Sequence, residues 1–412
     1  MSALERFIRY VKIDTRSEEE GEGYPSTDKQ KDLLNLLYRE LRDMGVPDVR
    51  QDKEYACVYA VLPSNQPQKT IPSVGFIAHV DTAEAMSGTN VNPRVIEYYD
   101  GGDILLNEAE GIRTRIEDFP EMKKLKGKRL VVTDGTTLLG ADDKAGVTEI
   151  MEMVQYFITH PEVLHGNICV AFTADEEIGR GVDHFDINGF GAHYAYTVDG
   201  GALGEISCEN FNAADAKVTF YGRSVHPGDA KDKMINALTL QQEFDRMLPK
   251  KERPEHTQGH EGFYHLTAVH GTVEKTVASY IIRDHDNKLF EERKKIFLDA
   301  ADRMNRKYGE GTVAVESEDV YYNMKGRVDA HPIIMETALL AMKEVGITPG
   351  IEPIRGGTDG ARLSFMGLPC PNLCTGGGNF HGKHEYLCVD DMEKIVELLV
   401  RIVMLYTDRA AG

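Results

Sequence analysis

Residues 167–177 read Asn-Ile-Cys-Val-Ala-Phe-Thr-Ala-Asp-Glu-Glu, an apolar run that ends in three acidic side chains. An unbroken apolar run of this length is typical of a strand that is buried on both faces. Before it, residues 147–158 repeat apolar side chains at helical spacing, and another strand-like run follows at 194–198. Strands that alternate with helices of this length predict an α/β fold with a mixed, largely parallel sheet flanked by helices.

The pattern changes between residues 211 and 321. Strand-like runs occur there at 216–221, 262–270 and 278–284, with helical segments at 236–247 and 290–308. This α+β arrangement predicts an inserted smaller domain at 211–321. The α/β pattern then returns, with helices at 333–345 and 392–406 and a strand near 371–374. We therefore expect 1–210 and 322–412 to form one larger, discontinuous domain.

Residues 26–45 are expected to contain a capped helix. Ser26 and Thr27 are followed by Gln30, as in a capping box, and then by leucines at helical spacing until Gly45. Residues 83–128 are instead polar and lack periodicity. Such a segment predicts an irregular excursion that folds over a site or covers a sheet edge.

The overall composition is near the average of soluble globular proteins. Of the 412 residues, 41% are hydrophobic and 28% are charged, which excludes disordered and collagen-like chains. The net charge of −20 repels phosphate backbones and anionic lipids, so neither nucleic acid nor a membrane is an expected partner. The first nine residues lack the apolar core of a signal peptide, and we expect a cytoplasmic protein.

Acidic and histidine side chains follow the predicted strands where each strand ends, begin the helix after Gly140, or follow the glycine run at 376–378. These residues are His79, Asp81, Asp142, Asp143, Asp175, Glu176, Glu177, Asp199 and His381. In an open parallel sheet the carboxyl ends of the strands face one crevice. We therefore expect these side chains to converge although they are far apart in the sequence.

Imidazole nitrogens and carboxylate oxygens are the ligands that zinc and similar divalent cations take in proteins. A single cation would not neutralise so many carboxylates, whereas two cations about 3.5–4 Å apart can share one carboxylate as a bridge. The residues therefore predict a centre for two divalent metal ions.

Two local spacings suggest roles within this centre. His79 and Asp81 stand at positions i and i+2 of an extended strand and face the same side, so Asp81 can orient the imidazole of His79. Glu176 and Glu177 point in opposite directions in an extended chain. One of these two glutamates is expected to bind metal and the other to act as a general base.

Five motifs resemble those of the co-catalytic zinc peptidases, the family that includes glutamate carboxypeptidase and aminoacylase. They are AHVDT at 78–82, LGADDKAG at 139–146, TADEEIG at 173–179, VDG at 198–200 and NFHGKHE at 379–385. The likeness covers essentially the whole chain. RGGTDG at 355–360, together with the Asn-Phe-His-Gly run, is specific to the tripeptide aminopeptidase branch of that family.

This resemblance implies two Zn²⁺ ions per chain, which Co²⁺ or Mn²⁺ could replace. His79 and Asp199 would bind one zinc ion, and Glu177 and His381 would bind the other. Asp142 would bridge the two ions.

The remaining roles at the centre are also implied by the resemblance. Asp142 is preferred to Asp143 as the bridge because the family pattern leaves one residue before a lysine, although spacing alone does not separate the two. Asp81 would orient the first histidine, and Glu176 would be the general base. His381 is preferred to His384 because the family ligand stands four residues before a glutamate.

The smaller α+β domain would serve as a lid and, as in relatives, as a dimerisation domain. The run GRSVHPG at 222–228 resembles a loop whose histidine stabilises the tetrahedral intermediate, so His226 is the candidate oxyanion donor, in its own subunit or across a dimer. Arg283 and Arg355 resemble ligands of a substrate carboxylate. Asn236 and Asn379 are candidates for contacts with the peptide backbone.

The implied activity is that of a metallo-aminopeptidase that releases the N-terminal residue of tripeptides. A hydroxide that bridges the metals would attack the peptide carbonyl, with Glu176 as the base. A carboxypeptidase or an N-acyl amino acid deacylase of the same family is the alternative, and a catalytically silent metal-binding protein is the rival from another class. The expected partners are a tripeptide substrate and a second copy of the chain.

Overall fold

The computed structural model describes residues 1–410. This part of the chain contains ten α-helices: α1 (Ala3–Val11), α2 (Gln30–Asp43), α3 (Ala141–Thr159), α4 (Ile187–Phe190), α5 (Ala237–Met247), α6 (Asn287–Tyr308), α7 (Lys325–Asp329), α8 (Ile333–Glu344), α9 (Asp359–Phe365) and α10 (Val389–Arg409). Short 3₁₀ helices span Pro120–Leu125, Glu176–Ile178, Pro227–Asp229 and Pro254–His256. Among the described residues, none of the helices combines the length and hydropathy that a transmembrane segment needs.

The same 410 residues contain 18 β-strands. They are β1 (Asp48–Asp52), β2 (Cys57–Leu62), β3 (Val74–His79), β4 (Arg94–Ile96), β5 (Ile104–Asn107), β6 (Ile112–Thr114), β7 (Leu130–Val132), β8 (Ile168–Thr173), β9 (Tyr194–Gly200), β10 (Glu205–Ser207), β11 (Asn212–Tyr221), β12 (Phe263–Gly271), β13 (Lys275–Asp284), β14 (Val313–Tyr321), β15 (Gly350–Ile351), β16 (Asn372–Cys374), β17 (Gly377–Gly378) and β18 (Tyr386–Cys388).

Eight of these strands form a mixed sheet in the order β1-β2-β8-β3-β9-β16-β10-β15. In its centre, β3 pairs in parallel with β8 and β9, and β9 pairs in parallel with β16. The pairs β1 with β2, β2 with β8 and β10 with β16 are antiparallel. The predicted α/β fold with a mixed, largely parallel sheet flanked by helices is confirmed.

The central strands are apolar along their length because both faces of the sheet are covered. Ile168, Val170 and Phe172 of β8 belong to the large core that also contains residues of α2, α3, α8 and α10. Cys169 and Ala171 point to the opposite face and pack in a smaller core with residues around α4 and α9. A strand buried on both sides needs an apolar side chain at every position, which explains the unbroken run at 168–173.

The chain divides into two compact units. Unit 1 comprises Met1–Cys208, Gly326–Glu352 and the residues from Thr358 onward, and unit 2 comprises Glu209–Lys325 and Pro353–Gly357. Unit 2 therefore extends a few residues beyond the predicted limits 211–321 and includes a short second segment, so that the chain passes between the units four times.

Unit 2 is built on a four-stranded antiparallel sheet in the order β12-β13-β11-β14. Side chains of α5 and α6 pack on one face of this sheet, where Phe244, Tyr280 and Phe297 make edge-to-face ring contacts. Strand β13 alternates buried and half-buried residues along most of its length, as expected for a sheet with one covered face.

The structure differs from the sequence-based predictions in three local features. Helix α2 is present, but its N-cap is Lys29 and no side chain caps it, so the predicted capping box is wrong. The segment 83–128 contains the short strands β4 to β6 and a 3₁₀ helix within its irregular chain. Strand β14 was not predicted, because five of its nine residues in a row, 316–320, are exposed and mostly acidic at the edge of the sheet.

Candidate metal centre

The five predicted metal ligands come from separate elements of unit 1 that meet at one place. His79 is the last residue of β3, and Asp199 lies near the end of the parallel neighbour β9. Glu177 lies in the 3₁₀ turn that follows β8, the other neighbour of β3. Asp142 lies at the start of α3, and His381 follows β17. Parallel pairing of β8, β3 and β9 brings three of these ligands to the carboxyl edge of the sheet.

One carboxylate lies between the two histidines. Asp142 Oδ1 is 3.0 Å from His79 Nε2, and Asp142 Oδ2 is 3.1 Å from His381 Nε2. His79 Nε2 is also 3.4 Å from Asp199 Oδ1, and His381 Nε2 is 3.0 Å from Glu177 Oε2. Two ligands therefore lie on each side of Asp142, which is the arrangement that a bridging carboxylate requires.

The neighbouring Asp143 is not part of the clustered groups of possible ligands. Its carboxylate is fully buried and accepts hydrogen bonds from the backbone N–H of His79 (3.2 Å) and of Gly146 (3.1 Å). The peptide bond between Asp142 and Asp143 is cis. Of the two aspartates that the spacing left open, the geometry favours Asp142 as the bridge.

Nitrogen and oxygen atoms that could bind a metal ion form two groups of three residues each. One group consists of His79, Glu176 and Asp199, and a second consists of His79, Asp142 and Glu177. Within each group the nitrogen and oxygen atoms lie within 4.8 Å of one another. Glu176 Oε2 is 4.0 Å from His79 Nε2, so the predicted base lies beside the predicted ligands.

Burial sets the protonation of the acidic groups. It raises the pKa of Glu177 and of Asp199 to about 7, and it raises the pKa of Glu176 well above its usual value. Burial would also raise the pKa of Asp142, but hydrogen bonds with His381 and His79 hold it below its usual range. The protein alone therefore supplies too little positive charge to ionise all four carboxylates.

The pKa values of the two histidines are raised by the neighbouring carboxylates, which favours the charged form of each ring. Contacts with Asp142 and Glu177 raise the pKa of His381 to about 11. Burial disfavours a charged His79, but Asp199 and Asp142 raise its pKa. Bound divalent cations would replace these protons, because metal ligands must be neutral imidazole and ionised carboxylate.

The donor set fits divalent cations. The buried atom Glu177 Oε1 has no hydrogen-bond partner among residues 1–410, and the converging atoms are only imidazole nitrogens and carboxylate oxygens. An orphaned buried carboxylate oxygen is costly unless a cation contacts it. Zinc and related ions take these donors.

Asp81 supports the centre from behind the ligands. Its carboxylate oxygens accept hydrogen bonds from the backbone N–H of Glu176 (3.0 Å) and of Glu177 (3.2 Å). His79 Nδ1 is 3.1 Å from the Asp81 carbonyl oxygen and 3.3 Å from its carboxylate. These acceptors would hold a proton on Nδ1, so a metal bound to His79 would be held by Nε2, as orienting partners of ligand histidines arrange.

Glu385, which follows His381 by four residues, holds the backbone beside Asp142 and was not predicted to have this contact. Its buried carboxylate accepts hydrogen bonds from the backbone N–H of Leu139 (2.8 Å), Gly140 (2.9 Å) and Asp142 (3.1 Å). It thereby joins the chain after His381 to the turn that carries Asp142. Nothing in the sequence pattern points to this partner, because the two segments are more than 240 positions apart.

The predicted substrate-binding residues His226 and Asn236 make local backbone contacts within unit 2. His226 is exposed and accepts a hydrogen bond from Gly228 N–H through Nδ1 (3.1 Å). Asn236 is the N-cap of α5 and accepts from Leu238 N–H (3.0 Å). Their roles in substrate binding stay predictions.

The two predicted carboxylate-binding arginines contact groups of their own unit. Arg283 Nη1 donates to the carbonyl oxygens of Ala214 (3.0 Å) and Ile282 (3.1 Å). Arg355 Nη1 donates to the carbonyl oxygens of Gly259 (2.6 Å) and Glu261 (3.1 Å).

Asn379, a predicted substrate contact, and His384, the alternative to His381 as a metal ligand, lie close to His381 in the sequence of unit 1. Asn379 Nδ2 donates to the carbonyl oxygen of His384 (3.2 Å). The ring of His384 is not one of the clustered ligands, since its Nδ1 lies 3.0 Å from Thr114 Oγ1 and its ring packs near Phe119.

The chain is similar to known proteins along its whole length. Peptidase T of Clostridium acetobutylicum is 54% identical over 98% of this chain and 99% of the relative, and Peptidase T of Clostridium novyi gives the same values. Aminopeptidase PepT from Bacillus cereus has a TM-score of 0.76 at 23% identity over 98% of both chains. A Bacillus subtilis protein described as a dinuclear metal binding peptidase from the M20 family has a TM-score of 0.66 at 11% identity, over 98% of this chain and 97% of that one.

The model of peptidase family M20/M25/M40 matches residues 130–405, which is more than half of the chain. This match includes four of the five clustered ligands and Glu176, and the near-complete coverage of the relatives extends the similarity to His79. The resemblance drawn from the motifs is confirmed. The chain belongs to peptidase family M20/M25/M40.

Proposed function

We propose that the protein is a tripeptide aminopeptidase, a hydrolase that releases the N-terminal residue of short peptides. The observation that carries this proposal is the convergence of His79, Asp142, Glu177, Asp199 and His381 beside Glu176. The choice of tripeptides within the family rests on the relatives named Peptidase T, which are more than half identical over nearly the full chain.

Two divalent cations, Zn²⁺ in our proposal, would be held with His79 and Asp199 on one side of Asp142 and with Glu177 and His381 on the other. When bound, such ions polarise a carbonyl oxygen and lower the pKa of a water molecule to about 7. Co²⁺ or Mn²⁺ would suit the same nitrogen and oxygen donors.

Glu176 is the proposed proton carrier. Its carboxylate adjoins the ligands without lying between the two histidines, and its backbone N–H is fixed by Asp81. In the reaction it takes a proton from the attacking water and delivers that proton to the departing amine nitrogen. Burial raises its pKa, and the positive charge of bound cations would lower it again, so that the carboxylate is ionised for the first step.

Residues outside the metal centre are assigned to binding the substrate. Arg283 and Arg355 would bind the peptide carboxylate with their planar guanidinium groups, and His226 would donate to the oxyanion. Asn236 and Asn379 would contact the peptide backbone. These five roles follow from the family resemblance and are part of the proposal.

The organisation of the chain completes the proposal. The larger domain, 1–210 and 322–412, would be catalytic, and the smaller domain would close over the substrate and join two copies of the chain in a homodimer. We also propose a cytoplasmic location. The net charge of −20 disfavours nucleic acid as a ligand for any of these surfaces.

A product analysis with an unblocked tripeptide and its N-acetylated twin tests the function. The zinc-loaded protein should release the N-terminal amino acid of the unblocked peptide and leave the acetylated one intact. Chelator should abolish the reaction and added zinc should restore it. Release of the C-terminal residue would indicate a carboxypeptidase, removal of the acetyl group a deacylase, and no turnover a silent metal-binding protein.

A further inference from the structure

The side chain of Asp175, which directly precedes the proposed base, is buried and bound by two residues that are distant in sequence and lie at or before the start of α2. Asp175 Oδ2 accepts from the backbone N–H of Ser26 (2.7 Å), and Oδ1 accepts from Ser26 Oγ (2.5 Å) and Gln30 Nε2 (2.7 Å). In return, Asp175 N–H donates to Gln30 Oε1 (3.1 Å). The amide of Gln30 thus makes two hydrogen bonds to the same residue.

Ser26 and Gln30 have the spacing of a capping box at the start of α2. In the structure Ser26 and Gln30 do not cap α2, and their partner lies 145 or more positions away. A fully buried carboxylate with three donors is strongly held, because charged hydrogen bonds are short and strong in a water-excluded site.

The backbone at Asp175 needs such support. Its φ of 64° and ψ of 26° lie in the left-handed region, which is uncommon for residues other than glycine. This conformation turns the chain out of β8 and into the 3₁₀ turn that carries Glu176 and Glu177. Conformations of this kind persist where surrounding contacts hold them.

The turn is therefore fixed from both ends. Asp81 accepts from the N–H groups of Glu176 and Glu177, as described above, while Asp175 is bound by Ser26, which precedes α2, and by Gln30, the first residue of α2. The turn is closed by hydrogen bonds from Gly179 N–H to the Glu176 carbonyl oxygen (2.7 Å) and from Arg180 N–H to the Asp175 carbonyl oxygen (2.9 Å).

We propose that Ser26, Gln30 and Asp175 form a clamp that positions Glu176 for proton transfer. The three are positioning residues, since they act through the turn and do not themselves contact the converging ligand atoms. This inference rests on the proposed function, because it assigns a task to the proposed base. An error of about 1 Å in the position of a catalytic group can cost about a factor of 100 in rate.

The reciprocal hydrogen bonds between Gln30 and Asp175 allow a charge-exchange test. Gln30→Glu places two carboxylates within hydrogen-bond distance of each other, where they repel. Asp175→Asn places an amide N–H opposite the donors of Ser26 and Gln30, so that two donors face each other. The double variant again pairs one carboxylate with one amide. The carboxylate introduced at position 30 would accept from the backbone N–H of residue 175 and from the amide introduced there. Each single variant should therefore have a lower kcat and a less protected turn, and the double variant should recover both.

Two readouts are taken on all four zinc-loaded proteins. Each single variant should lower kcat for the tripeptide about 10- to 100-fold with little change in KM, as partners that orient active-site groups typically do. Amide hydrogen exchange in the peptide that contains residues 174–179 should be faster in the single variants. The double variant should recover most of the turnover and of the protection.

Glu40→Gln is the matched control for a general loss of stability. Glu40 accepts hydrogen bonds from Arg6, Arg9 and Tyr10 between α1 and α2, away from the turn. The Glu40→Gln variant should have a lower thermal midpoint than the wild type, with unchanged kcat and unchanged amide exchange at residues 174–179.

The possible failures are distinguishable. An inactive zinc-loaded wild type refutes the proposed function, and with it the positioning role. If the wild type is active, the clamp is refuted by single variants that keep normal kcat, whatever their exchange. It is equally refuted by a double variant that recovers neither readout, or by a control that loses as much kcat as the single variants.

Discussion

Carboxylates at the metal centre differ in what their oxygens contact, and this difference separates their roles. Asp142 lies between two imidazoles, whereas Asp81, Asp143 and Glu385 accept hydrogen bonds from backbone N–H groups of the chain segments that carry the ligands. Residues of the second kind fix backbone positions, and a metal site with poorly fixed ligands loses affinity. Glu176 belongs to neither kind, because its carboxylate lies beside the ligands, 4.0 Å from His79 Nε2, where it is available to a water molecule.

Replacing Glu176 by Gln should preserve the metal centre and remove the proton carrier. Gln has the same shape but cannot take up a proton, so kcat should fall about 10²- to 10⁴-fold while bound zinc remains at the wild-type level. Steady-state kinetics with a tripeptide and elemental analysis of the same sample measure both quantities. Near-normal turnover of this variant would show that another group acts as the base.

Glu149 should make the free energy of unfolding depend on pH. It is fully buried in α3, neither carboxyl oxygen has a hydrogen-bond partner in the described chain, and burial raises its pKa well above the usual value. The folded protein therefore keeps Glu149 protonated at pH values where the unfolded chain, with a pKa of about 4.3, is ionised. Its contribution to the free energy of unfolding must fall as pH rises above about 4.3.

Glu149→Gln removes this dependence, because glutamine is neutral at every pH. The thermal midpoint of the variant minus that of the wild type should increase between about pH 5.5 and about pH 7.5, since ionisation changes the free energy of unfolding by up to about 1.4 kcal/mol per pH unit. Thermal unfolding of both proteins across this range provides the comparison. A difference that stays constant with pH would mean that Glu149 is ionised in the folded state.

At the scale of elements, the position of Asp142 depends on how closely α3 approaches the sheet. A Cβ atom on Gly146 would lie 1.8 Å from the carbonyl oxygen of Val198 in β9 and 2.5 Å from Asp143 Oδ1. Only glycine allows this contact between the first turns of the helix and the strand that carries Asp199. The close approach therefore brings together the two elements that carry Asp142 and Asp199.

Gly146→Ala should disrupt this packing and destabilise the protein by about 3 kcal/mol or more, since backbone atoms must move apart. Gly326→Ala is the matched control, because Gly326 is the second residue of α7 and a Cβ atom there meets nothing within 4 Å. The control should be neutral or stabilising by up to about 1 kcal/mol. Equal thermal midpoints for the two variants would contradict the close approach of α3 and β9.

Elements with strong periodicity could be predicted from the sequence, and elements whose partners are distant could not. The apolar runs of β3 and β8 and the helical spacing of α2 and α10 are local signals of burial. Ser26 and Gln30 have the local pattern of a cap, yet neither caps α2 and both donate to Asp175, a partner that no local stretch of sequence shows. Strand β14 lacks the apolar alternation that marks a strand, because acidic residues occupy much of this sheet edge.

For the whole molecule, the convergence of the five candidate ligands was predictable, because the fold determines where the ends of its strands meet. Once the strands are assigned to one parallel sheet, residues that follow their carboxyl ends must lie at one edge. The choice of Asp142 over Asp143 rested on the resemblance, since both begin the same helix and spacing alone does not separate them. In the structure only the Asp142 carboxylate lies between the two imidazole rings. The residues of unit 2 were reached through resemblance alone, because no spacing relates His226 or Arg283 to the metal ligands.

Stoichiometric zinc titration of the chelator-stripped protein tests the two-metal centre most directly. The wild type should bind two Zn²⁺ ions per chain, and Asp142→Ala should weaken both, since one carboxylate lies between the ligands of each ion. Binding of a single ion by the wild type, or of two ions with unchanged affinity by Asp142→Ala, would contradict the account.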